Sequence, residues 1–329
     1  MVVVADSPLQ TALDRSGVLV LDGAMATELE RHGADLTGGL WSARVLLEQP
    51  ELVARVHRDY FEAGADVAIT ASYQASVAGF VSAGVWAAEA ERLVASSVEL
   101  AREARDSFWS AALKEDPGLA ARRPRPLVAT SVGPYGAVLA DGSEYRGDYA
   151  LAQSDLVHFH RERLEVLAAA GVEVLACETI PSLAEAEALV AALQVWPEIT
   201  AWVSFSARNA VEVSDGTPIS SCAAYLQQQP QVVAMGVNCT AVQHITSLVG
   251  QLAGATDKPI VVYPNSGEVY DAGQQTWRGR RSGVDYGALA LEWYGAGARL
   301  IGGCCRTGPT EIRAVARALA EIRSRVPRG

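Results

Sequence analysis

Eight short runs of mostly apolar, often β-branched residues alternate along the chain with eight longer stretches rich in Ala, Leu and Glu, and no other feature restricts the fold as strongly. The runs are Val18–Asp22, Asp66–Ser72, Leu127–Val132, Val172–Glu178, Ala201–Ser206, Val232–Asn238, Pro259–Pro264 and Arg299–Gly303. Apolar residues on successive positions predict strands covered on both faces, the habit of parallel sheets. The intervening pattern predicts helices over Glu51–Ala63, Ala87–Leu113, Asp148–Ala170, Leu183–Leu193, Ser220–Gln227, Val242–Leu252, Val284–Tyr294 and Pro309–Arg323. Ser182 with Glu185 three positions on reads as a capping box, Pro309 suits a first helical turn, and Gly171 and Gly297 follow helix ends.

Eight strands alternating with eight helices is the repeat of a (β/α)8 TIM barrel, here expected as a single domain over residues 1–329. A doubly wound open sheet is the competing architecture. The first strand is followed by no GxGxxG and the chain holds no P-loop, which weakens nucleotide-binding forms of that alternative. In a barrel the C-terminal strand ends share one mouth, and polar residues gather there: Asp22, Ser72, Glu178, Asn238–Cys239, Asn265 and Cys304–Cys305. Two connections exceed the minimum, Tyr73–Trp86 and Asn265–Gly283. The second carries Tyr270, Trp277, Arg278, Arg280 and Arg281, and its length and position suit a lid, a polar loop being the alternative.

Charge and composition narrow the partners. A formal net charge of −11 argues against nucleic acid and anionic membrane surfaces. No stretch reaches the roughly 18–20 uninterrupted apolar residues of a membrane span. The apolar N-terminal run lacks a basic region and makes a poor signal peptide. Five cysteines, an odd count, do not form a secreted disulfide framework. A reducing, cytoplasmic location and small-molecule partners are expected, with oligomeric state left open.

The cysteines carry the chemistry. Cys304 and Cys305 end a glycine-rich strand, and adjacent side chains in a regular strand point to opposite faces. Both reach one ion only if the backbone turns, which Gly302–Gly303 would permit. Cys239 ends the sixth strand, two βα units earlier, so in a closed barrel it lies near the eighth strand's end. Three thiolates would leave one tetrahedral position of Zn2+ open, the arrangement of a catalytic site. Small buried hydrophobes are the alternative, and that is the expectation for Cys222 and for Cys177, which alternation turns away from a mouth-facing Glu178.

Five segments together resemble the homocysteine S-methyltransferase family over essentially the whole chain. They are Leu21-Asp22-Gly23-Ala24-Met25-Ala26-Thr27-Glu28-Leu29, Ile69-Thr70-Ala71-Ser72-Tyr73-Gln74-Ala75-Ser76, the stretch from Glu178 to Ala186, Gly236-Val237-Asn238-Cys239, and Gly302-Gly303-Cys304-Cys305. The chain departs from the family at Ala24, where many members carry a second glycine. Tyr263-Pro264-Asn265-Ser266-Gly267-Glu268 is similar to the branch using S-methylmethionine or S-adenosylmethionine. The resemblance implies a zinc-dependent barrel with zinc on Cys239, Cys304 and Cys305, and transfer of a methyl group to homocysteine, forming methionine.

It also implies roles for neighbouring residues. Asp22 and Glu178 would hold the substrate ammonium, backbone N–H groups at Gly23, Ala24 and Met25 with the Thr27 hydroxyl its carboxylate, and Asn238 would brace a ligand or bind substrate. The donor is a cation, so the aromatic residues Tyr73, Tyr135, Tyr263 and Trp277 are candidates for its side of the site. His158 and His160, on a predicted helix, are not expected to bind zinc. A selenocysteine or selenohomocysteine acceptor is the alternative enzyme reading. A non-catalytic zinc-holding module is the third, and Asp22, Glu178 and Asn238 would be superfluous to it.

Overall fold

A computed structural model describes residues 7–36, 42–139, 141–267, 269–271, 276–278 and 284–325, with 42, 269–271 and 276–278 described by backbone alone. The strands are β1 (Leu19–Val20), β2 (Val67–Ile69), β3 (Leu127–Val132), β4 (Val174–Ile180), β5 (Ala201–Phe205), β6 (Val232–Asn238), β7 (Ile260–Tyr263), β8 (Val269–Asp271), β9 (Thr276–Arg278) and β10 (Ala298–Ile301). β8 and β9 pair as an antiparallel hairpin, and the other eight form one parallel sheet in the order β1-β10-β7-β6-β5-β4-β3-β2. A parallel bridge between Leu21 and Val67, with Asp22 N–H donating to Val67 C=O at 3.0 Å, joins the two edges and closes the barrel. The expected (β/α)8 architecture is the one observed.

Alternation along each strand separates two cores. Leu19, Leu21, Val67, Ala129, Val174, Ala176, Trp202, Ala234, Val261 and Leu300 fill the interior. Val18, Val20, Leu175, Cys177, Val203, Met235, Val237 and Ile301 pack outward under the helices. A barrel interior filled by side chains is a packed core rather than a pore. Its N-terminal end is plugged by a helix absent from the sequence reading, Pro8–Ser16, whose Leu9, Ala12 and Leu13 join the inner cluster.

The eight outer helices are Pro50–Ala63, Ala87–Glu115, Gln153–Ala169, Leu183–Leu193, Ile219–Gln227, Ile245–Ala253, Tyr286–Ala296 and Pro309–Ser324. The third starts five residues later than predicted, because Ala150 adopts φ +51°, which no α-helix accommodates. The capping box at Ser182 is half formed. Ser182 Oγ accepts the Glu185 N–H at 3.2 Å, but the Glu185 carboxylate turns to Tyr135 N–H and His160 instead. Short helices at Met25–Arg31, Val77–Ser82 and Tyr135–Leu139 and a 3-10 turn at Ser143–Tyr145 lie within the loops that follow the first three strands. Among the described residues, no helix is long and apolar enough to cross a membrane.

Candidate active site

The three cysteines meet at the C-terminal end of β7, between the ends of β6 and β10. Cys239 N–H donates to Tyr263 C=O at 3.1 Å, Cys304 N–H to Pro264 C=O at 2.8 Å, and Ser266 N–H to Cys305 C=O at 3.0 Å. One loop thus fixes the backbone of all three. Cys239 follows Asn238, which occupies an inward position, so alternation alone would turn it outward. Its φ of +47° brings it back to the mouth. Past β10 the reversal comes from Arg306, at φ +68°, and from a turn closed by Thr307 N–H on Cys304 C=O at 3.0 Å.

The expected role of Gly302–Gly303 is therefore corrected: neither has positive φ, and both are needed for close approach. A Cβ on Gly302 would lie 2.6 Å from Leu21 Cβ, and one on Gly303 2.3 Å from Thr307 Oγ1.

Cys239 Sγ lies 3.6 Å from Cys305 Sγ, which lies 4.0 Å from Cys304 Sγ, and all three sulfurs fall within 4.8 Å of one another. A tetrahedral ion with Zn–S bonds of about 2.3 Å holds its sulfurs ~3.8 Å apart, so the trio fits such an ion. Sulfur hydrogen bonds with Cys304 and Cys305 lower the Cys239 thiol pKa well below the ordinary range, against its burial. Tyr145 Oη, 3.2 Å from Cys239 Sγ, and the Asn265 side chain add to this. Cys177 and Cys222 are buried apart from the trio, each with burial pushing its thiol up to about 12. A second group, Glu28, His32 and Asp59, is an ion-pair network: His32 Nε2 lies 2.7 Å from Asp59 Oδ2, and Arg31 donates to Glu28 at 2.8 Å.

The trio opens into a cavity of about 420 Å³ whose wall includes Asp22, Tyr73, Glu144, Tyr145, Glu178 and Tyr263. Asp22 Oδ2 accepts the Ile69 N–H at 2.8 Å, continuing the ladder with a side chain where β1 has ended. Burial, helped by the Glu178 charge, holds its carboxyl well above the usual range despite that bond. Glu178 accepts from Ser131 Oγ, and burial lifts its pKa to about 7 against the Ser131 and Tyr263 hydroxyls. Two carboxyls with raised pKa values share one cavity, an arrangement that favours a bound cation.

The family model described as homocysteine S-methyltransferase matches residues 19–319. The chain belongs to the homocysteine S-methyltransferase family. It is 54% identical over 310 residues to homocysteine S-methyltransferase YbgG of Bacillus subtilis (strain 168), covering 94% of this chain and 97% of that protein. Selenocysteine Se-methyltransferase of Brassica oleracea var. italica is 44% identical over 317 residues, covering 94% and 91%. Among solved structures, the metallated form of the homocysteine methyltransferase MmuM from Escherichia coli superposes with a TM-score of 0.83 at 48% identity, covering 94% of this chain and 99% of that one.

Gly23, Ala24, Met25 and Thr27 line the cavity, but the Ala24 N–H already donates to Thr307 C=O at 3.1 Å. A Cβ on Gly23 would lie 2.9 Å from the Tyr60 ring, so only glycine fits. Thr27 Oγ1 accepts the Arg306 N–H at 3.1 Å, which leaves its own proton free to donate.

Asn238 is fully buried and lies off the cavity wall. Its oxygen accepts from Thr179 N–H at 2.7 Å and Ser204 Oγ at 2.9 Å, and its nitrogen donates to Thr179 Oγ1 at 2.8 Å. These three bonds tie Asn238 to Thr179 and Ser204, neither of them a candidate metal ligand. Tyr263 Oη is engaged by Ser204 Oγ at 2.7 Å and Trp202 Nε1 at 3.1 Å. Tyr135 is off the wall, packed edge-on against Tyr149 and Phe159. The Trp277 side chain and much of the expected lid over 265–283 lie outside the described residues. His160 pairs with Glu185 at 3.1 Å inside the protein.

Three residues escaped the sequence reading. Tyr145 and Glu144 stand on the 3-10 turn, inside a stretch without periodicity. Arg163, buried under the mouth, donates to Gly133 C=O at 3.1 Å, Tyr73 C=O at 2.6 Å and Ser72 C=O, tying together the ends of β2 and β3. Burial brings its pKa down to about 10.

Proposed function

We propose that the protein transfers a methyl group from a sulfonium donor, S-methylmethionine or S-adenosylmethionine, to the sulfur of L-homocysteine, forming methionine. The observation that carries this reading is the convergence of three thiols and two buried carboxyls on one cavity. Cys239, Cys304 and Cys305 would hold Zn2+, which supplies a Lewis acid that keeps the homocysteine thiol deprotonated at neutral pH.

The chain's own groups orient the reactants. Asp22 and Glu178 accept the homocysteine ammonium, while the Gly23 and Met25 N–H groups and the Thr27 hydroxyl receive its carboxylate. Asn238 holds Thr179 and, through it, Glu178 in place. Tyr73 and Tyr263 offer aromatic faces on the donor side, a role extended to Trp277 on its sequence position. In the transfer the homocysteine sulfur donates an electron pair to the methyl carbon, and the donor carbon–sulfur bond breaks. Its pair stays on the donor sulfur as a neutral thioether. A thioether needs no proton to leave, so the site requires no general acid, and positioning supplies much of the acceleration. One barrel over residues 1–329 is proposed to contain the whole site and to work in the cytoplasm.

The test is methionine formation by the zinc-loaded protein from homocysteine and each of S-methylmethionine, S-adenosylmethionine and betaine. Turnover with a sulfonium supports the reading, and failure of all three overturns it. The similarity to the Brassica enzyme favours selenocysteine as a second acceptor, assayed in the same way.

A further inference from the structure

The cavity wall holds more carboxyl groups than one substrate ammonium requires. Besides Asp22 and Glu178, its wall includes Glu30, Asp35 and Glu144. Glu30 and Asp35 are exposed and have arginines beside them, Arg306 at 3.9 Å and Arg44 at 3.7 Å. Glu144 is different. Its Oε2 is buried and has no hydrogen-bond partner among the described residues. Burial is the chief cause of its raised pKa, with the Cys239 charge contributing. Its own backbone N–H and the charge of Arg146, two residues on, oppose that rise, while the Arg146 guanidinium pairs with Asp148 at 3.1 Å.

The carboxylate is also firmly presented. A Cβ on Gly136 would lie 2.4 Å from Glu144 N, so the 3-10 turn rests directly on the helix Tyr135–Leu139. Tyr145, adjacent to Glu144, touches Cys239 Sγ, which sets the turn at the level of the thiol cluster. Glu144 as a whole is half-buried, and a buried carboxylate oxygen without a hydrogen bond is costly unless a cation occupies its neighbourhood. In the proposed reaction the homocysteine ammonium is already matched by Asp22 and Glu178.

We propose that Glu144 is the specificity determinant for the methyl donor, a carboxylate that pairs with the sulfonium charge beside Cys239. This rests on the proposed methyl transfer. The reacting methyl must lie about 3–3.5 Å from the acceptor sulfur at the thiol cluster, so the sulfonium centre is held at the depth of this turn. Because the donor loses its charge as the methyl leaves, the pair is stronger in the ground state than in the transition state. Glu144 therefore acts on donor binding and on the choice of a cation more than on the chemical step.

The experiment compares binding of S-methylmethionine with its uncharged carbon isostere, 2-amino-5-methylhexanoate, by titration calorimetry on the zinc-loaded protein without homocysteine. The isostere keeps the ammonium and carboxylate, so the affinity ratio reports the sulfonium alone. The wild type is expected to prefer the sulfonium at least tenfold, and E144Q to bring the ratio near one. In turnover, E144Q is expected to raise the donor KM about tenfold while kcat and the homocysteine KM change less than about threefold.

A wild-type ratio near one overturns the proposal without recourse to any variant. So does an E144Q ratio equal to that of the wild type, or equal weakening of both ligands, which would assign Glu144 to the donor ammonium. If the wild type forms methionine from a sulfonium yet shows such a result, only the role of Glu144 fails. If no sulfonium yields methionine, the proposed function fails with it.

Discussion

Glu178→Gln should make the substrate-free protein more stable in alkaline solution while weakening its hold on homocysteine. The Glu178 carboxyl, ordinarily near 4.5, is raised to about 7 chiefly by burial. The fold favours the protonated form, so that preference is fully present below pH 4.5 and is lost as pH rises through about 7. Above that the charged form costs the fold about 3 kcal/mol at most, from roughly 1.4 kcal/mol per pH unit. At pH 5 the same relation leaves less than about 1 kcal/mol. Glutamine keeps one acceptor oxygen for the Ser131 and Tyr263 hydroxyls where the carboxylate has two, and the lost bond returns about 1 kcal/mol. The net gain is about 1–2 kcal/mol at pH 8 and about zero at pH 5. Thermal denaturation of the zinc-loaded variant should thus show a Tm about 1–3 °C above wild type at pH 8 and little change at pH 5. Calorimetry should show homocysteine binding weakened by about tenfold or more, a charge-assisted bond being lost. An equal Tm shift at both pH values, or a fall at pH 8, would refute the reasoning.

Cys239→Ala should abolish both bound zinc, measured by elemental analysis, and activity, whereas Cys177→Ala should keep a full complement of zinc and lose only about 1 kcal/mol of stability. Zinc retained in the first variant would sink the ligand assignment. Asn238→Ala removes three hydrogen bonds in the interior and should cost about 2–4 kcal/mol in denaturant unfolding while raising the homocysteine KM. Arg163→Met leaves the carbonyls of Ser72, Tyr73 and Gly133 without their donor, and a loss of about 2–3 kcal/mol is expected, together with a higher donor KM because Tyr73 moves.

The barrel was legible because its signal is long-range and repetitive. β3, β6 and the helix Leu183–Leu193 have the predicted bounds, each set by an apolar run with clear ends. β1 and β2 are shorter than predicted because the Asp22 carboxylate, rather than a backbone carbonyl, accepts the Ile69 N–H. The helices inside the mouth loops were invisible. Met25–Arg31 spans 7 residues and Tyr135–Leu139 spans 5, too short for an amphipathic period to develop. Glu144 and Tyr145 fall in the same blind region, and their importance depends on which turn faces Cys239, a tertiary fact. Arg163 reads as one more charge on a predicted helix until its carbonyl partners are known.

The cysteine trio reveals why strand periodicity stops short of the chemistry. The same alternation that correctly turns Cys177 outward would turn Cys239 outward as well, and only a left-handed residue reverses it. Thr179, Cys239 and Arg306 all have positive φ, at +59°, +47° and +68°. Such conformations cost about 1–3 kcal/mol each for non-glycine residues, and a β-branched Thr is the least tolerant. Each is held by a specific bond: Thr179 N–H on Asn238, Cys239 N–H on Tyr263, Arg306 N–H on Thr27. The strain lies at or past the C-terminal ends of β4, β6 and β10, alternate strands of the barrel, where a regular strand end would aim side chains into the helix layer. Asn238 is absent from the cavity wall, yet its side-chain oxygen accepts the N–H of the strained Thr179 beside Glu178. Such bonds maintain the local exceptions, while regular alternation alone points Glu178 at the same space.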